Sequence, residues 1–170
     1  MLLVHILVIS SIFLTTTAQS DYCNICDANK HIACGHENTW ASTCPPDRLL
    51  VKLGLQDIKK ILDLHNTYRN KIALGNQNGY ESASRMATVK WDYELASLAE
   101  LNVKQCEMKH DACRNTDKFQ FAGQNLDYRS KTGTYENVQS FLENSIKDWY
   151  DEHFHADQSV IDAFHYPSSG

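Results

Sequence analysis

Six cysteines, Cys23, Cys26, Cys34, Cys44, Cys106 and Cys113, constrain this 170-residue chain more than any other feature. The residues before them indicate their compartment. Residues 1–20, "MLLVHILVISSIFLTTTAQS", contain no Asp, Glu, Lys or Arg, run apolar from Leu2 to Leu14 and end in small residues suited to signal peptidase. This segment reads as a secretory signal cleaved after Ala18 or Ser20. A retained anchor is the alternative, although the apolar run is short for a membrane span. An even number of cysteines in an exported chain implies three disulfides, and the count alone leaves fifteen pairings open. The competing reading is a zinc knuckle, because Cys23-Asn-Ile-Cys26 has zinc-type spacing and His31 and His36 follow closely. An oxidising compartment favours disulfides, since structural zinc needs thiolates.

A hydrophobic content of 42% with a formal net charge of -5 suits one globular domain and supplies no basic footprint for nucleic acid. No segment after the signal is apolar enough to span a membrane, and no Asn-x-Ser/Thr sequon occurs. Residues 21–54 are cysteine-rich, lack periodicity and include the turn Cys44-Pro45-Pro46-Asp47, so they form an extension held by crosslinks. From residue 55 the pattern becomes helical. Leu55, Ile58, Ile61, Leu62, His65, Tyr68 and Ile72 share one stripe, and Gly75 ends it.

A second helix begins after Trp91 with Asp92 as N-cap, carries Leu95, Leu98, Ala99, Leu101 and Val103 on its apolar side and delivers Cys106. A third runs from about Tyr135 to Glu152, with Thr134 as N-cap candidate and Val138, Phe141, Leu142, Ile146 and Trp149 facing inward. Strand signal is confined to 118–122, "KFQFA", and 88–91, which is marginal for a sheet. The final residues, through Pro167-Ser168-Ser169-Gly170, stop in a turn-like stretch, which suggests further sequence beyond.

Glu152 lies near the apolar stripe of the third helix, three residues after Trp149. It is a metal ligand, a general base, or a carboxylate that turns to water at a helix end, and position alone favours the last. His65 reads as a packed histidine, because no second ligand stands at i+4. His110 sits between two cysteines, so bridges would anchor its loop at both ends, but Glu107 and Asp111 beside it need not converge into a zinc site. His153, His155 and His165 cluster only in sequence. No Gly-x-Ser-x-Gly, P-loop or Gly-x-Gly-x-x-Gly is present.

Taken in order, Cys23-x2-Cys26, "LDLHNTYRNKIALG" (62–75), "VKWDYELASLAELNVKQC" (89–106), "KHDAC" (109–113), "AGQNL" (122–126) and "IKDWYDE" (146–152) resemble the CAP superfamily of cysteine-rich secretory, antigen 5 and pathogenesis-related proteins. The branch they resemble most is the insect antigen-5-related, venom-allergen-like group. The resemblance implies an α+β fold, a three-layer α-β-α sandwich, with His65, Asn66, Arg69 and Trp91 in structural roles. It also implies bridges Cys23–Cys34, Cys26–Cys113 and Cys44–Cys106. Many members hold a divalent metal in a cleft between two histidines and two acids. Matched residue by residue, the first histidine falls on His110 and one acid on Glu152. Gln124 stands in Gly123-Gln124-Asn125 where many members have Gly-Glu-Asn, so Gln124 and Asn125 line the cleft with an amide in place of an acid.

The second histidine belongs to a Gly-His-Tyr/Phe-Thr motif that the chain does not contain, and His165 is not assigned to it. The family's later strands and further cysteine pair are likewise absent, which predicts an incomplete chain or a short isoform of low stability. The organisation expected is therefore a signal peptide at 1–20, a disulfide-held extension at 21–54 and a partial CAP domain at 55–170. The function expected is that of a secreted, monomeric, non-enzymatic protein that binds a sterol, a fatty acid or an extracellular protein. It requires no cofactor, and zinc would enter only with the missing histidine. The alternatives are a metal-dependent hydrolase using His110 and Glu152, and a truncated product with no activity of its own.

Overall fold

The computed structural model describes residues 21–130 and 137–163. The signal segment, Thr134, Tyr135 and His165 therefore lie outside the described residues. The extension opens with α1 (Tyr22–Ile25), capped by Asp21, whose side chain accepts from the Cys23 N–H, and continues into a 3-10 turn at Asp27–Asn29. Three disulfides organise it. Cys23–Cys34 closes the arm on itself, while Cys26–Cys113 and Cys44–Cys106 fasten it to the segment after α3 (Tyr93–Val103). These are the pairs that the resemblance implies. With both sulfurs of Cys23-x2-Cys26 oxidised, no thiolate remains there for zinc.

His31 seals the seam between arm and body. It is buried, Nε2–H donates to Asn115 O at 2.7 Å, and Nδ1 accepts from the Ala33 N–H at 3.0 Å. Its backbone forms an isolated parallel bridge to Cys113, and Tyr22 stacks on its ring at 4.7 Å. Further along the arm, the Ala41 N–H donates to Lys104 O, and the buried Lys104 ammonium donates to Asn38 Oδ1 at 2.6 Å and to Glu100 Oε1 at 2.7 Å. Burial of a lysine is tolerable only with such partners.

The helical pattern beginning at residue 55 gives α2 (Leu55–Ala73). Asp57 reaches back to the Gly54 N–H at 2.8 Å. At the far end Gly75, at φ +70°, donates to Ile72 O while the Asn76 N–H donates to Lys71 O, the paired bonds of a Schellman ending. In α3 the Asp92 carboxylate accepts from the N–H groups of Glu94 and Leu95, as an N-cap should. That helix stops at Val103, and Cys106 follows in the left-handed region at φ +54°. The last long helix is α4 (Val138–Asp151), capped by Asn137 rather than by the Thr134 expected from sequence. A 3-10 turn at Glu152–His155 and the short α5 (Gln158–Asp162) complete the described chain.

Packing is dominated by α2 against α4. Tyr68 stacks on Tyr150 at 4.1 Å, Gln139 donates to Asp57, and Lys60 pairs with Glu143. The fully covered apolar side chains are few, with Leu98 of α3 and Ile146 of α4 each 3% exposed. Among the described residues there is no strand, so the middle layer implied by the resemblance is not among them. Both strand candidates are corrected. Residues 116–119 close into a turn in which Thr116 and Phe119 exchange backbone hydrogen bonds. Val89 instead spends its backbone groups on the Asn66 side chain, which accepts from its N–H at 2.8 Å and donates to its carbonyl at 3.1 Å. Arg69 fixes the carbonyl two residues before Val89, donating twice to Ala87 O, and Trp91 follows half-buried.

Candidate functional site

Among the described residues nothing seals the apolar faces of the three long helices. They border an open groove of about 880 Å³ whose wall on the arm side is Trp40 and Leu49. Helix α2 contributes Ile61 and His65, α3 contributes Ala99 and Val103, and α4 contributes Phe141 and Trp149. Met108 and Leu126 come from the connecting loops. Among the described residues Val103 and Met108 are 55% and 60% exposed, so the groove's lining is apolar where nothing described covers it. Its few polar features are held by neighbours. The Trp149 indole N–H donates to Leu126 O, His65 Nδ1–H donates to Ile61 O, and Ser145 bonds both Asp127 and Phe141 O. Arg48 lies over Trp40 and donates to Pro45 O at the rim.

At one end of this groove lies a polar cluster centred on Asp111, whose side chain is 1% exposed. Its carboxylate accepts from Asn102 Nδ2 at 2.7 Å, Gln105 Nε2 at 3.2 Å and Gln124 Nε2 at 2.8 Å. Arg114 Nε stands 3.7 Å away, close enough for charge compensation but not for a hydrogen bond, while the guanidinium donates to Ala122 O and Asp111 O. Because the Gln124 amide nitrogen donates to Asp111, its oxygen faces the other way. That oxygen accepts from the Asp111 N–H at 3.1 Å and from His110 Nδ1–H at 3.0 Å. His110 Nδ1 therefore carries a hydrogen, and Nε2 of the exposed ring has no partner among the described residues.

The structure thus unites two of the sequence-selected residues, His110 and Gln124, and gives Gln124 a role its alignment with an acid would not suggest. An acid there would set a second carboxylate against the buried Asp111. Asn125 lines the same groove. Glu152 is exposed, at the start of the 3-10 turn that follows α4. Among the described residues no three His, Cys, Asp or Glu side chains converge into a metal-binding group. The donor set at this end is one imidazole nitrogen beside an amide oxygen already accepting twice, which does not fit a divalent metal held by the described residues alone.

Sequence reasoning placed Asp111 beside His110 as an acid that need not converge on a site, and so missed it as a hub. It also missed a second network. Tyr150 donates to Gln77 Oε1, Gln77 Nε2 donates to His153 Nε2, and His153 Nδ1–H returns to Tyr150 O. Tyr80 donates to His153 O and Ala156 O, so His153 holds the end of α4 against the loop after α2. His155 is exposed.

A helical body stapled by three disulfides to a cysteine-rich arm, with an open apolar groove bordered by both, defines a small crosslinked helical module. Residues 62–166 match the family described as the cysteine-rich secretory protein family, CAP, and the chain belongs to it. It is 47% identical over 135 residues to the antigen 5 like allergen Cul n 1 of Culicoides nubeculosus, covering 79% of this chain and 61% of that protein. It is 34% identical over 170 residues to venom allergen-1 of Aedes aegypti, covering 98% and 66% respectively. A venom allergen 3 homolog of Dinoponera quadriceps is 38% identical over 157 residues, covering 85% and 64%. The chain spans less than two thirds of the length of each of these relatives.

Proposed function

We propose that this chain belongs to a secreted antigen-5-like CAP protein that acts outside the cell as a non-enzymatic binding protein, taking a small hydrophobic ligand such as a sterol or fatty acid. The observation that carries this reading is the groove, whose volume of about 880 Å³ lies in the range of small-molecule sites and whose walls are mainly aliphatic and aromatic. Three disulfides and the relatives' names, allergen and venom allergen, support secretion. Among the described residues no helix is long and apolar enough to cross a membrane. Organic extraction of protein secreted from a eukaryotic host, followed by mass spectrometry, tests the ligand. A co-purifying sterol or fatty acid supports the reading, and empty protein that takes up no added lipid contradicts it.

The competing metal-dependent hydrolase draws on one specific observation, the exposed His110 ring whose Nε2 has no partner among the described residues. Calorimetric zinc titration of the parent and His110→Ala separates the two. The binding reading expects no difference, and micromolar zinc affinity lost in His110→Ala would favour the hydrolase.

A further inference from the structure

Between α2 and the loop that His153 holds lies the tetrapeptide Gln77-Asn78-Gly79-Tyr80. The Tyr80 N–H donates to Gln77 O at 3.1 Å and Gly79 has φ +86°, which makes a β-turn with glycine in the third position, where a type II turn needs a positive φ. Asn78 is exposed, and its side-chain amide has no partner among the described residues. A Cβ on Gly79 would meet nothing within 4 Å, and the Gly79 N–H donates no hydrogen bond among the described residues. An amide carbon, a following backbone nitrogen unshielded by any side chain, and open water thus meet at one turn.

We propose that Asn78 is a site of spontaneous covalent modification, its side-chain amide converted to aspartate and isoaspartate through a succinimide closed by the Gly79 nitrogen. The nitrogen bonds to Asn78 Cγ, the Cγ–Nδ2 bond breaks, and the proton from the Gly79 N–H leaves with the amine as ammonia. Water then opens the five-membered imide at either carbonyl. One opening restores the chain with aspartate at 78, and the other routes the backbone through Cγ. No oxidant or reductant is needed. Both products add a negative charge to a chain of formal net charge -5.

The isoaspartyl product also lengthens the backbone between Gln77 and Tyr80. These two residues hold Tyr150, His153 and Ala156, so a chemical change at a surface turn reaches the anchorage of the α4 end. Asn76 supplies an internal comparison. It is exposed in the same loop, but Gln77 follows it and shields the attacking nitrogen.

The test is peptide mapping by mass spectrometry of the intact, disulfide-bonded chain after timed incubation at mildly alkaline pH and body temperature. A single tryptic peptide, from Ile72 to Arg85, contains both asparagines. Conversion at Asn78 is expected on the order of tenfold faster than at Asn76, a barrier difference of about 1.4 kcal/mol. Chromatography should resolve two isobaric products, and enzymatic methyl transfer specific for isoaspartate should label the parent but not Asn78→Gln. Equal rates at Asn76 and Asn78, or label that persists in Asn78→Gln, would overturn the assignment.

Discussion

Gln124 shows how one side chain can be misjudged from its position in a motif. Its amide donates one hydrogen bond to Asp111 and its oxygen orients His110, so the residue joins a buried acid to an exposed imidazole. Gln124→Glu would replace a donor with a second carboxylate 2.8 Å from Asp111 Oδ2. The expected loss in urea unfolding is about 1–3 kcal/mol at neutral pH, shrinking in acid as one proton comes to be shared between the two groups. An unchanged midpoint at neutral pH would show that the network is not coupled in this way. The resemblance led to His110, Gln124 and Asn125, but the bonding of Gln124 to Asp111 was not legible. Pairing across 13 residues, from Asp111 to Gln124, depends on how a loop folds back, and nothing in local periodicity encodes that.

Among the elements, α3 carries the clearest electrostatic signature. Asp92 is held below its ordinary value, first by the hydrogen bond from Lys118 and then by the Leu95 N–H. Glu100 is lowered as well, chiefly by the hydrogen bond from Lys104, with partial burial opposing the shift. A folded-state value below the unfolded one gives stability that is present above the unfolded pKa of about 4 and is lost as pH falls through the folded value. Melting temperature should therefore be flat from neutrality to about pH 5 and should decline below about pH 4. Asp92→Asn combined with Glu100→Gln keeps a capping side chain but removes both titrations, so its acid decline should be shallower, whereas an unchanged slope would contradict the assignment. The elements themselves were largely readable. The stripe from Leu55 to Ile72, the Asp92 cap and the Gly75 stop are local signals, and each is found in place. The strand candidates failed because a few alternating residues carry no information about a partner, and here turn and side-chain bonds satisfy the backbone instead.

For the whole molecule, the disulfides decide where the arm lies, and the arm builds one wall of the groove. Cysteine number predicted three bridges, but only the family resemblance selected their pairing, because spacing says nothing about which sulfurs meet. Replacing Cys44 and Cys106 together with serine should lower stability by about 2–5 kcal/mol in denaturant unfolding. It should also weaken ligand uptake, because Trp40, Pro45 and Leu49 are tethered through that bridge. A variant that keeps full stability and uptake would show that the arm docks without its staple. The groove was not foreseen as a shape, although Ile61, Ala99, Val103, Phe141 and Trp149 had been placed on the apolar sides of their helices. The measurement that bears most directly on the account is direct titration with a sterol and with a fatty acid, comparing the parent with Ala99→Trp, which fills the groove from an exposed position on α3. The account predicts saturable binding of at least one of them by the parent and its loss in a variant of equal stability. Absence of binding by the folded parent, or binding that Ala99→Trp leaves unchanged, would contradict it.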